Sequence, residues 1–250
     1  RGVSAARNHA ISKASGELLA YLDADDMWYS EKLERQVAFL DAHQECGMLH
    51  SEISVINEQD EILHVRFNQM TKRSVPQGHC LQALLKCSHI QTLTVVERRN
   101  CFERVGAFDE RLAVAEDYLH WIMIAAEGQA VGYLEEPLAK YRWRTGSLMG
   151  NPIRLLEAYV KIYDILIQEK QFASQHGAEA VAILRDCSFM AQRGLAYHDR
   201  IEGRGESAKR RLADLIKERP HEFELYLDLL KAYLPSSLLS KLRTMRSSGL

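Results

Sequence analysis

Residues 17–28 read Glu-Leu-Leu-Ala-Tyr-Leu-Asp-Ala-Asp-Asp-Met-Trp, and this stretch decides how the chain is organised. An apolar run, residues 17–22, follows a glycine and ends in three carboxylates, Asp23, Asp25 and Asp26. Such a run is typical of a buried strand. Crowded carboxylates repel one another by about 1 kcal/mol per close pair unless a cation or hydrogen-bond donors lie among them. A hard divalent cation takes oxygen ligands and shares them with phosphates, so the stretch predicts a nucleotide-phosphate site.

Helix-like and strand-like segments alternate around this stretch, which predicts an α/β layer fold. A helix is predicted over residues 3–14, and a second begins at Ser30 with Leu33, Val37 and Leu40 on its apolar face. Further along, strands are predicted at 47–57, 61–67, 92–96 and, on both sides of Pro137, within 131–144; helices are predicted at 80–87, 98–105 and from Asp117 to Gly128.

The pattern changes after residue 150. From Asn151 onward no strand-like run occurs, and amphipathic segments are broken near Gly177, at residues 203–205 and at Pro220. We expect an α/β domain over residues 1–150 and an α-helical C-terminal domain of four or five helices over 151–250. A bundle, helical hairpins and a helical repeat all remain open.

Composition excludes several classes of protein. The 250 residues carry a net charge of −2, with 46% apolar and 26% charged residues, as in an ordinary soluble globular protein. No nucleic-acid partner is indicated. The five cysteines form no C-x-x-C pair, which predicts reduced thiols in a cytosolic protein. No apolar run approaches the ~18 residues of a membrane span, and no signal peptide is evident, so a soluble or peripheral protein is expected.

The C-terminal part carries two basic runs, residues 209–211 and 241–246. Solvated helix faces explain them, and peripheral contact with anionic lipid is the alternative. The chain begins with Arg1 rather than Met, which favours a fragment without its N-terminal portion.

Four short motifs occur in a specific order. They are Ala-Arg-Asn at 6–8, Leu-Asp-Ala-Asp-Asp at 22–26, Gly-Ala-Phe-Asp-Glu at 106–110 with Ala-Glu-Asp at 115–117, and Tyr-Arg-Trp-Arg at 141–144. In this order the chain resembles the family 2 glycosyltransferases, which are inverting enzymes of GT-A fold that take a sugar from a nucleotide-sugar donor. The resemblance covers about residues 1–150. It implies an N-terminally truncated GT-A domain, since the first strand and the P-x-Y-N-type loop of the family are absent.

The resemblance implies a role for several residues. Asp23 and Asp25 match the D-x-D pair, with Asp25 as the direct ligand of Mg²⁺ or Mn²⁺ and Asp23 as the partner of the ribose or of metal-bound water. Arg7 matches a residue that contacts the nucleotide. Asp117 matches the general base that deprotonates the acceptor hydroxyl. Glu116 and Asp117 also have a simpler interpretation, as acids that favour a helix N-terminus.

The last motif departs from the family pattern. Arg142 and Arg144 are expected to contact the donor diphosphate, but relatives commonly carry histidine where this chain has Arg144. A fixed cation there still suits a diphosphate, because guanidinium binds phosphate oxygens bidentately. Arginine does not replace histidine as a metal ligand.

The resulting expectation is a bacterial enzyme of cell-envelope polysaccharide synthesis. It transfers a sugar, with a UDP-sugar as the expected donor, to a hydroxyl of a glycan or lipid-linked acceptor, in the cytoplasm or at the inner face of the membrane. A non-catalytic scaffold derived from a glycosyltransferase is the alternative. Metal-dependent phosphoryl transfer is disfavoured because no Walker-type glycine loop accompanies the acids.

Overall fold

A computed structural model describes residues 2–72, 75–86, 90–144 and 151–234. Within them, two compact units are distinguished, Arg1–Asn151 with Lys170–Ile183, and Pro152–Glu169 with Leu184–Leu250. Among the described residues, the first unit contains the sheet and the second contains helices only.

The first unit is a mixed sheet flanked by helices, as the α/β pattern predicts. Its strands are β1 (Leu18–Ala20), β2 (Met27–Trp28), β3 (Cys46–Ile56), β4 (Ile62–His64), β5 (Val96–Arg98) and β6 (Ala130–Arg142). The strand order is β1-β5-β3-β6-β2, with β4 paired to β3. Strands β3 and β6 are parallel, whereas β5 runs antiparallel to both β1 and β3. Strands β1, β3 and β6 therefore share one direction, and the acidic loop follows the C-terminal end of β1.

Five of the six helices described before residue 145 lie close to predicted positions, whereas Phe67–Thr71 was not predicted and begins in the stretch 61–67 that was assigned to a strand. In chain order the helices are α1 (Val3–Lys13), α2 (Lys32–Ala42), α3 (Phe67–Thr71), α4 (Leu81–Lys86), α5 (Arg99–Val105) and α6 (Glu116–Ala126). Helix α5 ends at Gly106 with φ of 87° and α6 is followed by Gly128 with φ of 78°, a left-handed conformation that favours glycine.

Several local predictions were wrong. The buried face of α2 carries Lys32, Gln36 and Leu40, while Leu33 and Val37 are exposed. A period of 3.6 identifies a helix, but tertiary packing decides which face is covered. Thr92–Thr94 forms a 3₁₀ turn, and the strand begins only at Val96.

Pro137 does not break the last extended run. Strand β6 is continuous, and its register against β3 shifts near Pro137, opposite Glu52. Proline is tolerated at such an irregularity because the ladder hydrogen bond is already lost there.

The core of the first unit lies between the sheet and its helices. One cluster contains Leu40, Leu49, Val96 and Ala130. Another contains Ile53, Val55, Leu93 and Ala139, with the half-buried Trp28 packed against it. Both clusters use β3, which is buried along its whole length and so fixes the strands that carry the acidic loop and its neighbours.

After residue 150 the described chain is helical. Its helices are α7 (Pro152–Gln168), α8 (Lys170–Ile201), α9 (Gly205–Glu218) and α10 (Phe223–Tyr233). Helix α8 is kinked at Gly177, where φ is 77°, which agrees with the break predicted at this glycine. No helix among the described residues is long and apolar enough to cross a membrane. The predicted boundary at 146–152 lies mostly outside the described residues, as does the basic run 241–246.

Candidate nucleotide-sugar site

The three acids of the loop after β1 differ in what surrounds them. Asp26 is half-buried and its Oδ1 accepts the backbone N–H of Arg142 at 2.8 Å. Burial raises the pKa of Asp26 to about 6, and the negative charges of Asp25 and Asp23 add to this. The side chains of Asp23 and Asp25 are 41% and 45% exposed. Two of the three carboxylates therefore remain accessible to a cation or a ligand.

Arg7 joins the acidic loop to the start of α6. Its guanidinium donates to Asp23 Oδ1 at 2.8 Å and to Glu116 Oε1 at 2.5 Å. Only 13% of the Arg7 side chain is exposed. Burial opposes the charged form, yet the carboxylates of Asp23 and Glu116 outweigh it and raise the pKa of Arg7. Residues far apart in sequence are thus held together by one buried cation.

Asn8 joins two of the sequence motifs through the backbone. Its Nδ2 donates to the carbonyl of Phe108 at 2.9 Å, and its Oδ1 accepts the N–H of Phe108 at 2.9 Å. This amide pairs with the main chain as a strand neighbour would. The loop that leads to α6 is therefore fixed against α1.

Helix α6 begins with two acids in different environments. The side chain of Glu116 is 5% exposed, and burial raises its pKa, with a further contribution from Asp117. Asp117 is half-buried; its Oδ1 accepts the N–H of Tyr118 at 2.8 Å and its Oδ2 accepts the hydroxyl of Thr92. Glu116 is paired inside the protein, whereas Asp117 keeps lone pairs and an exposed side.

The backbone immediately before these acids is strained. Ala115 has φ of 61° and ψ of 22°, a left-handed conformation that costs a non-glycine residue about 1–2 kcal/mol. Strain of this kind persists only where the surroundings over-determine it, and it is frequent at functional sites. It fixes the direction in which α6 presents Glu116 and Asp117.

The two arginines of the last motif are used differently. Arg142 is 12% exposed on its side chain and donates to the carbonyls of Asp25 and Asn57, at 2.7 and 2.9 Å. It also pairs with Asp60 at 2.5 Å, so it fixes the acidic loop to the turn between β3 and β4. Arg144 is 48% exposed, with Nε 3.8 Å from Asp25 Oδ2. Arg144 therefore presents an accessible cation, and donor contact by either arginine remains a prediction.

A buried polar network lies beneath the loop. The hydroxyl of Tyr21 donates to Glu97 on β5, and the other Glu97 oxygen is 3.0 Å from Nε2 of His120 on α6. Burial raises the pKa of Tyr21 well above its usual range, and the negative charge of Glu97 adds to it. Tyr21 comes two residues before Asp23, so this network supports the loop from the core side.

The sequence did not reveal which residues support the site. Thr92 was assigned to a strand and Gln36 to no role, yet Thr92 binds Asp117, and Gln36 Nε2 donates to the carbonyl of Thr94 at 2.8 Å. Lys32 has no hydrogen-bond partner for its Nζ among the described residues and lies 4.3 Å from the ring centroid of Trp28. Burial lowers the pKa of Lys32 to about 7. A buried lysine or glutamine within an apolar period is the only sequence signal for such a role.

The acidic loop fits a divalent cation that is shared with phosphates. No group of three or more His, Cys, Asp or Glu side chains among the described residues has metal-site geometry. Mg²⁺ and Mn²⁺ at phosphate sites usually need only one or two carboxylates, with phosphate oxygens and water completing the shell. Asp25 and the second oxygen of Asp23 supply a donor set of that size and chemistry.

Comparison with known proteins identifies glycosyltransferases as relatives. The profile described as Glycosyl transferase family 2 matches residues 1–88. The chain is 30% identical over 161 residues to the Escherichia coli UDP-Glc:alpha-D-GlcNAc-diphosphoundecaprenol beta-1,3-glucosyltransferase WfgD, covering 63% of this chain and 58% of that protein. It is 29% identical over 145 residues to the uncharacterized glycosyltransferase MJ1057 of Methanocaldococcus jannaschii, covering 56% of this chain and 47% of that protein. The chain thus spans about half the length of these curated relatives.

A solved structure shares the fold. Staphylococcus aureus TarS superposes with a TM-score of 0.56 at 18% identity, covering 92% of this chain and 41% of TarS. TarS 1–349 in complex with UDP gives a TM-score of 0.50 at 18% identity, covering 93% of this chain and 69% of that one. The matched profile and the relatives support a glycosyltransferase of family 2, and the fold is GT-A-like.

Proposed function

We propose that this protein transfers a sugar from a nucleotide-sugar donor to an acceptor hydroxyl with inversion at the anomeric carbon, and that Asp117 is the base. One observation carries the proposal. The half-buried carboxylate of Asp117 is held by two donors and is separate from Asp23 and Asp25, and Arg7 bridges the two parts through Glu116.

The reaction requires this division of labour. The acceptor O–H breaks and its proton passes to Asp117, while the oxygen bonds to the anomeric carbon. The bond from that carbon to the diphosphate oxygen breaks on the opposite face, and its electron pair leaves with the phosphate. A base must lie within hydrogen-bond reach of the acceptor oxygen and away from the anionic leaving group. A carboxylate outside the acidic loop is what both conditions call for, and Asp117 is proposed for that role.

The leaving group is handled at the acidic loop. Asp25, with Asp23, would hold Mg²⁺ or Mn²⁺, which when bound neutralises the charge on the departing diphosphate. Arg144 carries a half-exposed guanidinium beside Asp25 and is suited to a phosphate oxygen. Arg7 keeps Asp23 in place and leaves one oxygen of that carboxylate free for the ribose or for metal-bound water.

We propose a UDP-sugar as donor and a lipid-linked or polymeric glycan of the cell envelope as acceptor. The name of WfgD specifies UDP-glucose and a diphosphoundecaprenol-linked GlcNAc, and the Bacillus subtilis relative TuaG, 27% identical over 155 residues, is a putative teichuronic acid biosynthesis enzyme. TarS was solved with UDP. These names support the donor and the acceptor class.

The test is transfer from UDP-glucose to an α-D-GlcNAc-diphospho-lipid in the presence of Mn²⁺. We expect a glucoside of inverted configuration by NMR, no product in EDTA, and at least a ~10³-fold loss of turnover in Asp117→Asn. Nucleotide binding without transfer to any acceptor would support a scaffold instead, and free phosphate as product would support hydrolysis.

Peripheral membrane contact through the C-terminal helices is also part of the proposal. Helix α10 exposes Phe223, Leu230 and Tyr233 on its surface, a pattern suited to an interface. Within the basic run 209–211, Lys209 pairs with Glu206 and Arg211 with Asp199, which leaves Arg210 as the exposed cation. Co-sedimentation with phosphatidylglycerol vesicles tests the contact, and Phe223→Ser with Leu230→Ser should abolish it.

A further inference from the structure

We infer that Thr92 is a positioning residue for Asp117, held in place by the same segment that carries the acidic loop. The inference rests on the proposed function, because it concerns the carboxylate assigned there as base. Thr92 does not touch substrate in this account. Its role is to fix the rotamer of Asp117 from the interior.

The two oxygens of Asp117 are each held by one donor. Oδ2 accepts the hydroxyl of Thr92, and Oδ1 accepts the N–H of Tyr118 at 2.8 Å. Thr92 is 6% exposed, whereas Asp117 is half-buried. A carboxylate offers about four lone-pair positions, of which donors among the described residues use two. The remaining positions are available to an acceptor hydroxyl on the exposed side.

The turn that carries Thr92 is anchored through two of its carbonyls. The carbonyl of Leu93 accepts Nε1 of Trp28 at 2.8 Å, and the carbonyl of Thr94 accepts Nε2 of Gln36 at 2.8 Å. Gln36 and Thr94 are fully buried. These bonds restrain the backbone of a turn of three residues, and this fixes the position from which the Thr92 hydroxyl donates.

The anchor belongs to the acidic segment itself. Trp28 follows Asp25 and Asp26 closely in sequence and lies on β2, which pairs with β6. The Lys32 side chain packs over the Trp28 ring, with Nζ 4.3 Å from the ring centroid. A chain of contacts therefore runs from the metal-binding loop through Trp28 and Leu93 to Thr92 and Asp117. These contacts fix the position of Asp117 relative to the acidic loop.

Positioning of this kind acts on turnover more than on binding. Reacting atoms must lie about 3–3.5 Å apart in a reactive conformer, and a misplaced base lowers the rate without weakening the donor. Thr92 keeps its own proton throughout, since it donates to the ionised carboxylate and the acceptor proton goes to a free lone pair of Asp117.

The test compares three variants of the full chain in the UDP-glucose assay. Thr92→Val keeps the shape and removes the donor, and Thr92→Ser keeps the donor. Thr94→Val removes a hydroxyl from the same turn that donates to the Gln91 carbonyl. We expect kcat to fall about 10- to 100-fold in Thr92→Val, with Kd for UDP and Mn²⁺ within about twofold of the wild type. Thr92→Ser should recover most of the loss, and Thr94→Val should retain kcat.

The outcomes separate this inference from the function beneath it. Full kcat in Thr92→Val, or equal losses in Thr92→Val and Thr94→Val, overturns the positioning role while Asp117→Asn still reports on the base. A wild-type chain without transfer, or an active Asp117→Asn, overturns the proposed function and the inference with it.

Discussion

Two acidic groups in this protein are handled in opposite ways. In the loop after β1, Asp23 uses one oxygen for Arg7, and the Asp25 carboxylate lies 3.8 Å from Arg144 without a closer cation among the described residues. In the helical unit, Asp199 is 7% exposed on its side chain and accepts bonds from Arg204, Ser207 and Arg211. The first group retains capacity for a ligand and the second is saturated. Carboxylate oxygens without donors in a crowded acidic group therefore indicate a ligand-binding role. Carboxylate oxygens that all have donors indicate a structural role.

The largest expected effect is that of a substitution in the acidic loop after β1. Asp25→Asn should lower transfer by about 10²- to 10³-fold and abolish the Mn²⁺ dependence of UDP binding, because a charged cation ligand is lost. Isothermal titration with UDP, with and without Mn²⁺, measures this. Asp199→Asn is the matched control, and unchanged titrations are expected for it. Equal losses in both variants would contradict the comparison.

A basic side chain can also lack hydrogen-bond partners. The Nζ of Lys32 has none among the described residues. The pKa of Lys32 is lowered from 10.5 to about 7 in the folded state. Between pH 7 and 10.5 the folded state therefore binds fewer protons than the unfolded state. This contribution makes the free energy of unfolding rise with pH over that range. Lys32→Met should remove this slope and raise the free energy of unfolding at neutral pH by about 1–3 kcal/mol.

Urea unfolding at several pH values above neutrality measures that slope. Lys86→Met, at an exposed position, is the control and should leave it unchanged. A slope that survives in Lys32→Met would show that it arises from a different titrating group.

A smaller effect, on stability, is expected for substitution of Asp199. Asp199→Asn removes charge from a carboxylate with three donors, and we expect the free energy of unfolding to fall by about 1–2 kcal/mol. Asp186→Asn removes a carboxylate that is 67% exposed and pairs with Arg219, and its effect should stay below about 0.5 kcal/mol. Chemical denaturation of both variants gives the difference. A larger loss in Asp186→Asn would reverse the assignment.

The smallest effect concerns the backbone before the base. Ala115 and Gly177 both have left-handed φ, 61° and 77°, but only one is glycine. Gly177→Ala should therefore lower the free energy of unfolding by about 1 kcal/mol, and Ala115→Gly should raise it by about 0.5 kcal/mol. Thermal unfolding measures both. Destabilisation by Ala115→Gly would show that the backbone there is not strained.

Local sequence signals predicted the elements that local chemistry controls. The apolar run before Asp23 gave a strand, and Gly106 and Gly128 marked the ends of α5 and α6, because only a few neighbouring residues decide such features. The acids of the loop and those at the start of α6 were recognised through their motifs. Family and fold followed from the order of those motifs.

Contacts between distant residues were not predictable in the same way. Arg7 and Glu116 are joined by an ion pair, and nothing in either helix indicates the other. The buried face of α2 was misassigned because Leu33 and Val37 have the spacing of a helix face, but that face is exposed to solvent. Thr92 was assigned to a strand because β-branched residues favour strands, yet tertiary anchors hold it in a 3₁₀ turn.

The most direct test of the account is a paired measurement on Asp117→Asn, namely its Kd for UDP in Mn²⁺ and its rate of glucosyl transfer. The account predicts a Kd within about twofold of the wild type and at least a ~10³-fold loss of turnover, since the base is separate from the nucleotide site. Turnover near that of the wild type, or a loss of UDP binding as large as that of Asp25→Asn, would contradict it.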